Sequence, residues 1–137
     1  MEPAAYVGLP FAPRGRDLER DGGLDCWGLV RHVYARELGL TLPSFHTDYA
    51  DPTVAGQIDP LVVAEAARWR AVSPGEERAL DVVVLRRGRW RAHVGVVTSP
   101  GWMLHVEAGV DAALADYRRD RCWCRRVVGC YRHPEAA

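Results

Sequence analysis

The chain has 137 residues, its eighteen basic residues balance eighteen acidic ones, and 48% of its residues are hydrophobic. This length and composition are typical of one globular domain, spanning residues 1–137, that buries a core without metal ions or disulfides. The neutral net charge gives no reason to expect nucleic acid or an anionic membrane as a partner. All basic residues are Arg and Asn is absent, a bias typical of a GC-rich bacterial or phage genome. The first residues lack a basic segment followed by an apolar run, so we expect a protein made in the bacterial cytoplasm without a signal peptide.

A loop rich in Gly and Pro occupies the first 24 residues, and a helical pattern follows it. Apolar residues recur at helical spacing from Cys26 to Leu38 and form one stripe. Asp25 is a suitable N-cap for this helix, and Gly39 is a suitable C-terminal stop. The spacing therefore predicts a helix that begins at Cys26 and ends near Leu38.

The second half of the chain changes from helical to strand-like patterns. A second helix is predicted from Asp59-Pro60 to about Val72, because an N-cap followed by proline is a typical helix start. Further along, the patterns predict strands at 82–85, 90–97 and 103–106, a short helix at Asp111–Tyr117 and a final strand at Trp123–Arg132. Helices followed by strands indicate an α+β fold in which N-terminal helices pack on a central antiparallel β-sheet.

Cys26 is the first candidate for chemistry because it is predicted to lie at the start of a capped helix. A helix N-terminus favours the thiolate over the thiol, and its amides can bind the oxyanion of an attacked carbonyl. The alternative is that Cys26 simply begins the buried stripe, and the two interpretations have about equal support from its position. If Cys26 is a nucleophile, we expect it to be the one thiol that alkylates quickly at neutral pH.

Two of the five histidines, His93 and His105, lie inside apolar strand patterns, where an imidazole must find a polar partner. If residues 99–101 form a three-residue turn, strand alternation places both rings on the same face as diagonal neighbours. A two-residue turn would place them on opposite faces. The alternative is two unrelated histidines, each satisfied in the core.

Several segments together resemble the NlpC-type cell-wall peptidases, a circularly permuted branch of the papain-like fold. Asp25-Cys26-Trp27-Gly28-Leu29-Val30-Arg31 resembles the nucleophile motif, and Tyr6-Val7-Gly8-Leu9-Pro10-Phe11 resembles the segment before it. Leu80-Asp81-Val82-Val83 resembles the first strand after the helices, His93-Val94-Gly95-Val96-Val97 the strand that carries the base, and Leu104-His105 the strand of the third residue. Trp27 and the segment Gly39–Pro43 resemble the phage-tail and prophage branch, and the resemblance covers about residues 6 to 133.

The resemblance implies a cysteine endopeptidase that hydrolyses amide bonds in peptidoglycan stem peptides, with the γ-D-glutamyl–diaminopimelate linkage as the family's common target. It implies Cys26 as the nucleophile, His93 as the base and His105 as the group that orients His93. It implies no cofactor, and it suggests phage tail-tip proteins as partners and a place in a phage or phage-like particle. The alternatives are a structural tail-assembly component without turnover, and an acyltransferase or thioesterase of the same fold.

Two positions depart from the family pattern, and two arginines are candidates for substrate binding. Phe11 stands where many members have a tyrosine whose hydroxyl lies near the cysteine. Leu80 replaces a common glycine, which we expect to affect only the turn. Arg14 and Arg16 precede the nucleophile and are candidates to receive a substrate carboxylate, against the alternative of solvated loop side chains.

The three remaining cysteines, Cys122, Cys124 and Cys130, fit no standard zinc spacing. Strand alternation instead predicts that they lie on one face as core thiols. We therefore expect no metal site.

Overall fold

Three helices precede six strands in the computed structural model, which describes residues 1–136. The helices are α1 (Leu18–Asp21), α2 (Cys26–Leu38) and α3 (Ala55–Ala66), and 3-10 turns lie at Pro3–Ala5 and Pro134–Ala136. The strands are β1 (Arg70–Val72), β2 (Val82–Arg87), β3 (Trp90–Ser99), β4 (Trp102–Glu107), β5 (Val110–Asp116) and β6 (Val127–Arg132). This order confirms the predicted α+β class. None of the helices in the described residues has the length and apolar character needed to cross a bilayer.

All six strands form one antiparallel sheet in the order β1-β6-β2-β3-β4-β5. The turn between β3 and β4 has two residues, but a bulge at the end of β3 shifts the register. Val96 therefore pairs with Leu104, which is the pairing expected for a three-residue turn. This register brings His93 and His105 to the same face, as predicted.

The two faces of the sheet pack against different parts of the chain. One face meets α2 through apolar side chains that alternate along β2 and β3: Val82, Val84, Val94 and Val96 on the sheet, and Leu29, Val30, Val33 and Tyr34 on the helix. The opposite face is covered by the segment 117–126, and its core consists of Val83, Leu85, Val97, Met103, Tyr117, Trp123 and Cys130. Both faces are buried, which fixes the positions of the central strands from two sides.

The second helix begins and ends earlier than predicted. It spans Ala55–Ala66 instead of Asp59–Val72, so Pro60 lies inside it. The Asp59 carboxylate does not cap a helix, because it accepts hydrogen bonds from the backbone N–H of Arg91 at 2.7 Å and from its guanidinium at 3.0 Å. Residues 70–72 are extended because they pair with β6 as the edge strand β1. Tertiary contacts override the local signals at both ends.

The predicted short helix at Asp111–Tyr117 is wrong, because Val110–Asp116 is strand β5 paired with β4. The helix-favouring Ala and Leu of this segment are overridden by hairpin pairing after Gly109, which has a φ of 80°. The final strand begins at Val127 instead of Trp123, and residues 121–126 form turns.

This change also corrects the expectation for the three C-terminal cysteines. Cys122 is exposed, Cys124 is partly buried, and Cys130 is the one of the three that is buried in the core. Because residues 122 and 124 lie in turns, strand alternation does not apply to them.

Leu80 has a φ of 76°, in the left-handed region that glycine adopts without a Cβ penalty. For a branched side chain this conformation costs about 1–2 kcal/mol. The Tyr34 hydroxyl donates a hydrogen bond to the Leu80 carbonyl, and the Leu80 side chain packs against the α2 core. Leu80 therefore contributes its side chain to the core as well as its backbone to the turn, so the replacement is not confined to the turn.

Candidate active site

Cys26 is the first residue of α2, and Asp25 is the N-cap of that helix, as predicted. The Asp25 backbone is extended, and its carboxylate accepts a hydrogen bond from the Gly28 backbone N–H at 2.8 Å. This is the usual N-cap geometry, in which the cap satisfies one amide that the helix cannot. The Cys26 side chain therefore lies at the amino end of the helix, where the helix dipole favours negative charge.

A buried network holds the Asp25 cap in place. The Arg16 guanidinium donates to the Asp25 carboxylate at 2.6 Å, and the Tyr49 hydroxyl donates to its second oxygen. Arg16 also donates to the backbone carbonyls of Gly15 and Ser44, and its side chain is 4% exposed. Arg16 thus connects the N-terminal loop to the start of α2, and its burial closes it to a substrate carboxylate.

The other candidate for substrate binding, Arg14, is exposed and lies at a shallow groove lined by Thr47, Tyr49, Gln57 and Pro60. This groove does not contain Cys26 or His93, so the structure does not bring Arg14 together with them.

The contact of Tyr49 with Asp25 was not predicted from the sequence, because Tyr49 lies in an irregular loop with no motif around it.

Glycines allow the N-terminal loop to lie directly against the start of α2. A Cβ on Gly28 would lie 2.0 Å from the carbonyl oxygen of Gly15, and a Cβ on Gly15 would lie 2.1 Å from the carbonyl of Gly23. No larger side chain fits either contact without moving backbone. The glycine two residues after Cys26 is thus required by packing.

His93 and His105 form a hydrogen-bonded pair, as predicted. His93 Nε2 lies 2.9 Å from His105 Nδ1, and the rings meet edge to face with centroids 5.1 Å apart. The other nitrogen of His93, Nδ1, lies 3.1 Å from a guanidinium nitrogen of Arg87. Since Arg can only donate, Nδ1 is the acceptor, and we assign the proton to Nε2, which donates to His105. This tautomer leaves Nδ1 as the basic nitrogen.

Trp123 covers the histidine pair from the segment 117–126. Its ring stacks on His93 with centroids 5.2 Å apart and an interplanar angle of 19°, and it meets His105 edge to face. The Trp123 side chain is buried and lies on the sheet face opposite α2. Sequence reasoning missed this role because it placed Trp123 inside a strand, although a tryptophan among polar and charged residues was a signal of a buried contact.

The surroundings of the site favour uncharged forms of Cys26 and His93. The pKa of Cys26 is raised to about 11, mainly because the sulfur is buried away from water and secondly because of the negative charge of Asp25. Burial, and then the positive charge of Arg87, hold the pKa of His93 well below its usual range. Burial also lowers the pKa of His105. The expectation that the helix terminus and a neighbouring His93 would together favour the Cys26 thiolate is therefore not met in this arrangement.

Cys26 and His93 line the same cleft, of about 110 Å³, together with Phe11, Arg87 and Glu107. Phe11 thus lines the same cleft as Cys26, at the position where the family pattern has a tyrosine. Within residues 1–136, the polar partners of the His93 ring are His105 and Arg87, and the Cys26 thiol is not among them. The cleft thus has a potential nucleophile and a potential base on its walls.

A second cavity, of about 70 Å³, lies behind Cys26 between α3 and the sheet. Its walls are mainly apolar and include Trp27, Ile58, Trp69 and Val84. Cys26 therefore separates a polar cleft on the His93 side from an apolar cavity beneath α3.

The NlpC/P60 family model matches residues 8–132 of this chain, nearly its full length. A search of curated proteins finds no significant match. The family match includes every residue of the cleft named above, together with Asp25, His105 and Trp123.

Solved structures of this family share the fold. An NLP/P60-family protein similar to lipoprotein from Staphylococcus aureus has 22% identity and a TM-score of 0.66, over 95% of this chain and 38% of that chain. The peptidoglycan hydrolase RipB of Mycobacterium tuberculosis has 20% identity and a TM-score of 0.60, over 96% of this chain and 60% of that one. RipD of the same organism, described as a non-catalytic NlpC/p60 domain protein adapted to peptidoglycan binding, has 19% identity and a TM-score of 0.62, over 96% of this chain and 91% of that one. The chain thus spans less than two thirds of the first two of these relatives.

Proposed function

This chain belongs to the NlpC/P60 family, and we propose that it is a cysteine peptidase that hydrolyses amide bonds in peptidoglycan stem peptides. The observation that carries the proposal is the presence, in one cleft, of Cys26 at the amino end of α2 and of the hydrogen-bonded His93–His105 pair. A thiol, a base and a group that orients the base are the three parts of nucleophilic amide hydrolysis.

Each residue has a defined step in this mechanism. The Cys26 thiol transfers its proton to His93 Nδ1 as its sulfur attacks the substrate carbonyl, and the amides of the first turn of α2 stabilise the oxyanion. His105 accepts the His93 Nε2–H and stabilises the imidazolium that forms. His93 then gives the proton to the leaving amine, which leaves a thioester on Cys26. Water, deprotonated by His93, hydrolyses the thioester and restores the thiol.

The γ-D-glutamyl–diaminopimelate linkage is the bond that we propose for cleavage. Support comes from the resemblance of the nucleophile and base motifs to enzymes with that common target. The cleft has a polar side formed by Arg87 and Glu107, which suits a substrate that carries carboxylates and amines near the scissile amide.

Digestion of purified peptidoglycan, with mass analysis of the released fragments, tests the function. We expect the wild type to release fragments whose masses correspond to cuts after γ-D-glutamate, and Cys26→Ala to release none. Fragments produced by cleavage of another amide would show that the proposed bond is wrong, while the proposed peptidase function would stand. Sedimentation of the protein with the wall, without fragments from either protein, would favour the non-catalytic alternative. Thioester cleavage or acyl transfer without amide cleavage would favour the third alternative.

We also propose that the protein reaches the wall as part of a phage or phage-like particle, after synthesis in the cytoplasm, with tail-tip proteins as partners. The support is the resemblance of Trp27 and of Gly39–Pro43 to the phage-tail branch. Mass spectrometry of particles purified from an induced culture tests this. Recovery of the chain in the tail fraction is the expected result, and its absence from purified particles would contradict the proposal.

A further inference from the structure

Arg87 links the base to the cleft surface. It is the last residue of β2 and lies two residues after Leu85, which pairs with His93, so strand alternation places Arg87 on the same face of the sheet as His93. One nitrogen of its guanidinium lies 3.1 Å from His93 Nδ1 and 3.1 Å from a carboxylate oxygen of Glu107. The side chain is 33% exposed and lines the cleft that contains Cys26.

The contact with Nδ1 has a consequence for catalysis. Nδ1 is the nitrogen that must accept the Cys26 proton, and in this structure its lone pair is occupied by Arg87. Arg cannot give up its proton in a protein, so the base is blocked while the contact persists. Proton transfer therefore requires the guanidinium to move away from His93.

The surroundings indicate what would move it. Among the cleft residues in the described part of the chain, Arg87 is the cationic side chain, and two carboxylates, Asp25 and Glu107, also line the cleft. Asp25 is held by Arg16 and Tyr49, while Glu107 is partly exposed and already bonded to Arg87. A carboxylate that enters the cleft can form the two parallel hydrogen bonds that a guanidinium prefers.

We propose that Arg87 is a specificity-determining residue that binds a substrate carboxylate next to the scissile amide and, in doing so, releases His93 Nδ1 to accept the Cys26 proton. The inference rests on the proposed peptidase function for its substrate, and it names a feature of that substrate: a free carboxylate, not an amidated one. Substrate recognition and activation of the base become one event. A charge-assisted contact of this kind contributes about tenfold or more in affinity.

Alkylation of Cys26 tests the carboxylate site without any peptide substrate. Iodoacetate and iodoacetamide differ only in a carboxylate and an amide, so the ratio of their rates at Cys26 reports on a nearby cation. We expect Arg87→Gln to lower the iodoacetate/iodoacetamide ratio about tenfold. Arg86→Gln is the matched control, because Arg86 is the exposed neighbour on the same strand and carries the same charge. Glu107→Gln should raise the ratio, because it removes the carboxylate that competes for Arg87.

A second readout follows the base itself. In an NMR titration of imidazole nitrogens, Arg87→Gln should shift the pKa of His93 upward, because a positive neighbour is removed, while Arg86→Gln should not. Circular dichroism of each variant shows that it is folded. An iodoacetate/iodoacetamide ratio equal in the wild type, Arg87→Gln and Arg86→Gln would overturn the proposal.

Paired stem peptides, with a free or an amidated carboxylate beside the scissile bond, connect the site to function. The wild type should prefer the free carboxylate about tenfold in kcat/KM, and Arg87→Gln should lose that preference. If the wild type cleaves neither peptide, the proposed peptidase function fails, and the alkylation ratio alone decides whether Arg87 is a carboxylate site. If it cleaves both equally, the role of Arg87 in specificity is wrong and the peptidase function stands.

Discussion

The protonation of Cys26 sets the chemistry that this site can perform before a substrate binds. Its raised pKa, about 11, and the lowered pKa of His93 both favour a neutral thiol beside a neutral imidazole at pH 7. A thiolate–imidazolium pair would instead form only when bound substrate and freed Nδ1 allow the proton to move. This arrangement differs from a permanently activated thiolate, and the two make different predictions for pH dependence.

Alkylation of Cys26 by iodoacetamide should therefore keep rising as the pH increases above 9, because the thiolate fraction grows up to a pKa near 11. At pH 7 the exposed Cys122 should be labelled before Cys26, the reverse of the expectation from the helix start and a neighbouring His93. Peptide mapping after brief labelling at several pH values measures both. A plateau in Cys26 labelling from pH 7 upward would show a low thiol pKa and contradict the account.

His105 should act on turnover more than on substrate binding, because it contacts His93 and does not itself line the cleft. We predict that His105→Ala lowers kcat by about tenfold to thousandfold with a much smaller change in KM. His105→Gln should recover part of the rate if its side-chain oxygen can accept the His93 Nε2–H. Full activity of His105→Ala beside an inactive Cys26→Ala would show that His93 is oriented by another group.

The start of α2 depends on a buried cap, while the start of α1 depends on an exposed one. Asp25 caps α2 and also neutralises the buried Arg16, whereas Asp17 caps α1 at the surface by accepting from the N–H groups of Glu19 and Arg20. Asp25→Ala should therefore lower the free energy of unfolding by about 3 kcal/mol or more, because it leaves a buried cation unpaired. Asp17→Ala should cost about 1 kcal/mol. Urea denaturation of both variants compares them, and equal losses would contradict the role of the Arg16–Asp25 pair.

The elements that sequence reasoning predicted well are those whose local signals agree with their packing. α2 has an N-cap, an apolar stripe and a terminal glycine, and the structure uses all three. The contact between His93 and His105 was predicted because a polar ring inside an apolar run needs a partner and strand alternation can place both rings on one face. α3 was placed wrongly because Asp59 bonds to Arg91, a contact that is distant in sequence. β5 was placed wrongly because the helix-favouring Ala and Leu residues of Val110–Asp116 outweighed the signal for a hairpin with the neighbouring strand β4.

The same distinction applies to the residues around the site. The sequence motif contains Cys26 and His93 but neither Arg87 nor Trp123. Arg87 reaches His93 across the β2–β3 hairpin, because it lies on the same face as Leu85, the partner of His93, while Trp123 reaches it because turns at 121–126 cover the sheet. The Arg87 contact follows from hairpin register, whereas the Trp123 contact depends on tertiary geometry and has no spacing signal.

The stability of the whole domain should depend on pH through its buried histidines. Burial lowers the pKa of His93, His105 and His32 in the folded chain, so below pH 6.5 the unfolded chain binds protons that the folded chain does not. Stability is then fully present above pH 6.5 and is lost as the pH falls below it, by up to about 1.4 kcal/mol per pH unit for each fully buried histidine.

Urea denaturation at pH 7.5, 6.0 and 5.0 measures this loss. A free energy of unfolding that stays constant or increases between pH 7.5 and 5.0 would show that the buried histidines do not control stability in this range.

Catalysis by Cys26 and His93 as a unit is the central claim, and a cycle of variants on a defined stem peptide tests it most directly. When two residues act in one step, the effects of their substitutions on the rate are not additive, because loss of either residue removes the step. We predict that Cys26→Ala, His93→Ala and the double variant all show the same background rate of amide hydrolysis, with the wild type far above them. Substantial hydrolysis by either single variant, or a double variant much slower than both, would contradict the account.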